Sequence, residues 1–191
     1  MEFFFNNAGP SKANQNYMID PLQRIDVSNI EALIAQERYF VLHAPRQTGK
    51  TTCLLALMDH LNQQGQYHAM YVNIETAQLA RDDIARGSYT VSESIATSAE
   101  EYLHNDQLLT WLENRYQPHH ADNLVYNVLR YWTRQSDKPT VLFLDEVDAL
   151  VGESLISLLR QIRAGYNQRP CLLYTSPGPR DLSTSRMPSS A

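Results

Sequence analysis

Two stretches of this chain carry residue types and spacings suited to phosphate chemistry. The first is Ala44-Pro45-Arg46-Gln47-Thr48-Gly49-Lys50-Thr51-Thr52, which follows the β-prone run Tyr39-Phe40-Val41-Leu42-His43 and precedes apolar residues at helical spacing. It fits the order strand, Gly-x-x-x-x-Gly-Lys-[Ser/Thr], helix, with Ala44 in place of the first Gly. Such a loop turns its backbone N–H groups inward around a polyphosphate, and the helix that starts there adds the positive end of its dipole. Gly49 lets the backbone approach a phosphate with no Cβ in the way. Lys50 offers a compact cation to the β and γ phosphates, and the Thr51 hydroxyl is placed to ligate Mg²⁺. Ala44 is a mild departure, because a methyl group is tolerable wherever φ stays negative. A chance Gly-Lys-Thr at a helix start is the competing reading. The complete strand, loop and helix order speaks against it, as does the scarcity of lysine, of which Lys50 is one of three.

The second stretch is Val141-Leu142-Phe143-Leu144-Asp145-Glu146, an apolar run ending in two carboxylates. In a parallel sheet whose strand ends face the phosphate loop, Asp145 would hold Mg²⁺ through water. Glu146 would orient and deprotonate the water attacking the γ phosphate. Alone, Asp-Glu after a strand is as readily a solvated turn. Its pairing with a phosphate loop some 95 residues upstream favours the catalytic reading. Asp148 suits a cap of the following turn better than a place in the Mg²⁺ shell.

These residues need a scaffold, and the pattern supplies one. Apolar runs alternate with amphipathic stretches, which predicts strands separated by helices and a mostly parallel sheet. After the strand at 39–43, Leu54, Leu55, Leu57, Met58 and Leu61 line a helix ending near Gly65, and a strand follows at 69–74. Residues 76–135 read as largely helical, with breaks near Gly87 and at Gln117-Pro118-His119-His120. The run from Pro139 to Leu144 reads as a strand buried on both faces. Leu155, Leu158, Leu159 and Ile162 then define a last helix that stops at Gly165.

Composition narrows the class. The 191 residues hold 16 basic and 21 acidic side chains, a net charge of −5 with 19% charged residues. That excludes the dense basic surface of a non-specific nucleic-acid binder. Two cysteines, Cys53 and Cys171, make no disulfide framework, and no apolar run reaches the roughly 18 residues of a membrane span. Residues 1–7 lack the cationic flank and apolar length of a signal peptide, so the chain reads as cytoplasmic and not membrane-bound.

Near Pro170 the pattern changes. The last 21 residues hold five Ser and three of the nine Pro with no helix or strand period. A Pro/Ser-rich tail is one reading. Back-translation gives a sharper one. Cys171 to Ser176, CLLYTS, is a reading frame of TGTCTCTTATACACATCT, which resembles a transposon end used in sequencing-library preparation. Ser185 to Ala191, SRMPSSA, likewise translates TCTCGTATGCCGTCTTCTGCT, which resembles the far end of the same adapter family. Residues 171–191 are therefore expected to be adapter-derived, either disordered or drawn in as a pseudo-strand through Leu172-Leu173-Tyr174-Thr175. Without them the chain holds 14 basic and 20 acidic residues and a single cysteine.

The segment HAPRQTGKTT at 43–52, taken with FLDEVDALVGESLISLLRQIRAGYNQRP at 143–170, resembles prokaryotic AAA-like P-loop ATPases, members of the P-loop division with an additional catalytic strand. FFFNNAGP and IDPLQRID at 19–26 resemble that group's N-terminal segment. The resemblance implies an α/β fold, a three-layer αβα P-loop sandwich, with residues 1–38 packing on an ATPase core at 39–170. It implies ATP and Mg²⁺ as cofactors, with phosphate binding by residues 44–52, metal binding by Thr51 and Asp145, and catalysis by Lys50 and Glu146. It further implies a later strand bearing a sensor of the γ phosphate, a helical lid and an arginine finger. None of these follows Pro170, so the core is expected to be cut before its sensor strand. Two outputs fit: hydrolysis driving a conformational change, or a signalling switch in which binding is the output. The client stays unspecified, and a homo-oligomer fits as well as a monomer.

Other candidates read as structural. His119-His120 lacks a ligand partner and suits a polar turn. Cys53 suits a packed thiol better than a thiolate at a helix N-terminus. Arg46, Gln47, Arg160 and Arg163 suit solvated positions, and Tyr126, Tyr131 and Trp132 suit core and helix surface.

Overall fold

The computed structural model describes residues 19–45, 47–115 and 122–165, with the backbone of 173–175 and 184–186. Six helices are described: α1 (Val27–Ala35), α2 (Lys50–Gln64), α3 (Ile84–Leu103), α4 (Gln107–Arg115), α5 (Leu124–Gln135) and α6 (Gly152–Gly165). Five strands join them: β1 (Val41–His43), β2 (His68–Asn73), β3 (Thr140–Asp145), β4 (Leu173–Thr175) and β5 (Thr184–Arg186). His119-His120 and Arg46 lie outside the described residues.

Strands β2 and β3 pair in parallel over their full length, from His68 opposite Thr140 to Asn73 opposite Asp145. Side chains alternate across a pleated strand, and the two faces of this pair sort accordingly. Ala69, Tyr71, Val141 and Phe143 join one apolar cluster with Ile30, Leu33 and Ile34 of α1 and Leu54, Leu57, Met58 and Leu61 of α2. Met70, Val72 and Leu142 join the other, with Val91 and Ile95 of α3, Leu108 and Leu112 of α4, Val128 and Trp132 of α5, and Leu158 and Ile162 of α6. Helices thus cover both faces, the αβα layering of an α/β protein.

The sheet is described in two pieces. Strand β4 lies parallel beside β3 on the side away from β2, with Leu142 opposite Tyr174, so the order is β2-β3-β4. Strand β5 pairs in parallel with β1, Leu42 opposite Ser185. The run 39–43 is shorter as a strand than its composition predicts. Tyr39 and Phe40 are buried in opposite clusters ahead of β1, and Tyr39 donates its hydroxyl to the Ile162 carbonyl. The free side of β2 is bonded by a side chain: Asn62 of α2 accepts from the Ala69 N–H and donates to the Ala69 carbonyl, which blunts part of that edge.

Gly87 departs from its predicted role. Rather than breaking the helical region it sits buried inside α3, which starts after the Asp83 cap and runs unbroken to Leu103. A Cβ at Gly87 would stand 3.1 Å from Ser154 Oγ and 3.2 Å from Ser154 Cβ. The close approach of α3 to α6 outweighs the helix-propensity penalty of Gly, about 1 kcal/mol against Ala. Gly87→Val is therefore expected to lower stability by about 1–3 kcal/mol through overpacking. The drop would appear as a lower urea midpoint at unchanged slope.

Candidate nucleotide site

The loop between β1 and α2 owes its shape to two left-handed residues, Gln47 at φ 61° and Gly49 at φ 80°. Alternation of this kind turns successive amides toward one concave side. Thr48 Oγ1 donates to the Pro45 carbonyl at 2.7 Å and closes the turn on itself. Gly49 is then the N-cap of α2, and no side chain caps its first turn, whereas Asp26 and Asp83 cap α1 and α3. The leading amides of α2 and the dipole behind them suit an anion. Gly49 is favoured by its positive φ; the Arg24 Nη1 that stands 2.9 Å from where a Cβ would sit is the tip of a flexible side chain and can move aside.

Lys50 and Thr51 open α2, and both meet Asp145 at the end of β3. Lys50 Nζ lies 2.8 Å from Asp145 Oδ1, and Thr51 Oγ1 donates to Asp145 Oδ2 at 2.7 Å. The Tyr71 hydroxyl donates to the same Oδ2 at 3.1 Å, and the Glu146 N–H donates to Oδ1 at 3.0 Å. Asp145 is 2% exposed, so these four donors take the place of water.

Burial alone pushes the Asp145 carboxyl up. The hydrogen bonds from Lys50 and Thr51, with the Lys50 charge, outweigh burial and hold it below its ordinary value. Lys50 answers in kind. Burial pulls it down, but the bond and charge of Asp145, with the charges of Glu146 and Asp148, raise it overall. Burial first, then the Asp145 charge and hydrogen bond, push the Tyr71 hydroxyl upward, so it remains a donor.

Glu146 follows Asp145 in the left-handed region, φ 58° and ψ 36°, and is the N-cap of a 3₁₀ turn over Val147–Ala149. Asp148 lies exposed within that turn, so its carboxylate acts on Lys50 only through its charge. Ala44 and Pro45 leave β1 and Thr52 continues α2, which puts the described members of the predicted loop in one continuous turn. Cys53 is buried, its thiol donates to the Pro21 carbonyl at 3.3 Å, and burial pushes it up, so a packed thiol is what the structure has. Arg160 and Arg163 are exposed on α6, and Tyr131 stacks on Trp111 with ring centroids 5.0 Å apart.

Two residues near this site escaped the sequence reading. Tyr71 carries no motif, and only the β2–β3 register, which sets it opposite Phe143 on the face it shares with Asp145, brings its hydroxyl to that carboxylate. Arg24 sits in a 3₁₀ turn, Pro21–Arg24, and no local pattern ties it to Gly49.

The donor set fits Mg²⁺. Asp145 and Thr51 offer hard oxygens, and Mg²⁺ is commonly held by one or two carboxylates together with substrate phosphates and water. Among the described residues no group of three or more His, Cys, Asp or Glu side chains could form an all-protein metal cage. No helix among them is long and apolar enough to cross a membrane.

Comparison with known proteins agrees with this geometry at the level of the family. A family model described as an AAA domain matches residues 34–174, well over half of the chain. No curated protein and no solved structure matches it. With a phosphate-type loop, a strand-end carboxylate bonded to it and a family match spanning both, the chain belongs to the AAA domain family of P-loop NTPases.

Proposed function

We propose that this chain binds ATP and hydrolyses it in an Mg²⁺-dependent reaction that drives a conformational change. The observation that carries the proposal is the meeting of Lys50, Thr51 and Asp145 at one point, with Thr51 and Asp145 94 positions apart in sequence. In this reading the loop at 44–52, through its backbone N–H groups (Pro45, which has none, shaping the turn), and the Lys50 ammonium hold the phosphates, while Thr51 Oγ1 and the Asp145 carboxylate hold the metal. Mg²⁺, when bound, would offset the negative charge that develops on the phosphate oxygens. Glu146 orients a water in line with the γ phosphorus and accepts its proton as the bond to the leaving oxygen breaks. Arg46, Gln47, Thr48 and Thr52 belong to the proposed phosphate-holding set by their place in the sequence motif, each bearing a backbone N–H.

A second reading has its own support. Lys50 and Asp145 are bonded to each other here, so a phosphate seated on Lys50 competes with that pair. Binding alone then rearranges the site, as a nucleotide-dependent switch requires. The organisation proposed with either reading is an N-terminal segment at 1–38, a core at 39–170 and an adapter-derived stretch at 171–191. A cytoplasmic location, a protein client and self-association belong to the same proposal.

The direct test is titration of the chain with ATP, with and without Mg²⁺, alongside phosphate release. Saturable binding strengthened by Mg²⁺, with steady phosphate release, is the expected result. Binding without release would favour the switch, and absence of binding would reject both.

A further inference from the structure

Asp145 is bonded by four donors of unequal permanence. The Glu146 N–H is part of its own backbone. Lys50 and Thr51 are the groups that the proposed cycle calls away, one to the phosphates and the other to the metal. That leaves the Tyr71 hydroxyl, 3.1 Å from Oδ2, as the one side-chain donor with no other task. Tyr71 is also well placed to stay. It lies on β2 directly opposite Phe143, two residues before the position opposite Asp145, so the three share one face of the pair. Its ring is buried against the α1 and α2 side of the sheet in the same apolar cluster as Phe143, Leu57 and Met58.

From this we infer that Tyr71 is a positioning residue for the metal-holding carboxylate: its hydroxyl keeps Asp145 aimed at the loop after Lys50 and Thr51 have released it. The inference rests on the nucleotide reading above and concerns how tightly the site takes Mg²⁺ once nucleotide is bound. A carboxylate holding a metal with one oxygen binds better when its rotation is already fixed, because less freedom is lost on binding. With Lys50 and Thr51 gone, the Tyr71 hydroxyl remains on Oδ2 and the Glu146 N–H on Oδ1, so the carboxylate stays fixed at both oxygens.

The test uses the full chain carrying Glu146→Gln, so that ATP binding is read without turnover. Affinity for ATP is measured in EDTA and then across a Mg²⁺ titration, with Tyr or Phe at 71. Phe fills the same volume and removes only the hydroxyl. In EDTA the two chains are expected to bind ATP within about twofold, since Tyr71 touches no phosphate-holding group but Thr51. With Mg²⁺ the Tyr71→Phe chain should need about tenfold more metal to reach half of the gain in affinity, the size expected for a hydrogen bond to a charged group. Equal Mg²⁺ requirements would overturn the inference. So would an equal loss of affinity in EDTA and Mg²⁺, which marks a residue that only supports the fold. If the Tyr71 chain itself shows no Mg²⁺-strengthened binding, the nucleotide reading fails first, and a chain that binds ATP with Mg²⁺ but ignores Tyr71→Phe isolates failure of the inference alone.

Discussion

Glu146→Gln is expected to abolish turnover while leaving ATP bound. The amide keeps the size of the carboxylate and its place at the start of the 3₁₀ turn, but it cannot accept a proton from the attacking water. Loss of a positioned general base lowers a rate by about 10²–10⁴-fold, so phosphate release should fall by that factor. Affinity for Mg²⁺ and ATP should stay within a few fold, because Lys50, Thr51 and Asp145 are untouched. Output separates the two readings of function. A motor loses its output with its turnover, whereas a switch keeps the bound state longer and its output rises or persists. Unchanged phosphate release in the variant would remove Glu146 from the chemistry altogether.

Lys50→Met is expected to damage the empty protein as well as the liganded one. It takes from the buried Asp145 carboxylate the only side-chain cation bonded to it among the described residues. Removing one partner of a fully buried pair costs about 3–5 kcal/mol. The Lys50 side chain is 31% exposed, and the partial solvation of the pair argues for a lower figure, about 1–3 kcal/mol. Adding Asp145→Asn removes the stranded charge, so the double variant should be more stable than Lys50→Met alone. ATP affinity should fall by about 10–100-fold in Lys50→Met, and the second substitution should not restore it. The stability effect also carries a pH signature. Asp145 is held below its ordinary value, so its contribution is present at neutral pH and fades as pH falls through the acid range. Lys50 is held above its ordinary value, so its share persists at neutral pH and is lost only at strongly alkaline pH. The gap in unfolding free energy between parent and Lys50→Met should therefore be widest near neutrality and narrow toward acid. Denaturant melts at a series of pH values would show it, and a gap that does not change with pH would mean the pair contributes nothing in the empty state.

What the amino-acid sequence reveals of this site follows the range of the interactions involved. The loop at 44–52 is legible because its chemistry demands a contiguous strand, turn and helix, and each step leaves its mark in local composition. Asp145 is legible because a doubly buried strand reads as an unbroken apolar run and its first carboxylate marks the end. Tyr71 is not, because its importance depends on which residue of β3 it faces, and strand register is set by packing across the sheet. Arg24 is hidden for a similar reason, since it meets Gly49 from a separate 3₁₀ turn well upstream. Gly87 shows the opposite failure: a strong local signal for a break is overruled by the proximity of α6. The αβα layering was readable from alternating patterns, and Leu173–Thr175, expected to be drawn in as a strand, pairs with β3; the pairing of Thr184–Arg186 with β1 was not readable, because strand order leaves no local signature.

The backbone at Glu146 has a consequence for how this position can vary. A left-handed conformation outside Gly, Asn and Asp costs roughly 1 kcal/mol or more, and Glu146 adopts it. Selection for folding alone would favour Gly or Asn here, since both accept that geometry with less strain. A stability screen blind to activity should therefore enrich Glu146→Gly, and the better-folded chains it returns would be the ones that have lost the proposed base. Thermal robustness and the proposed catalysis pull this one residue in opposite directions.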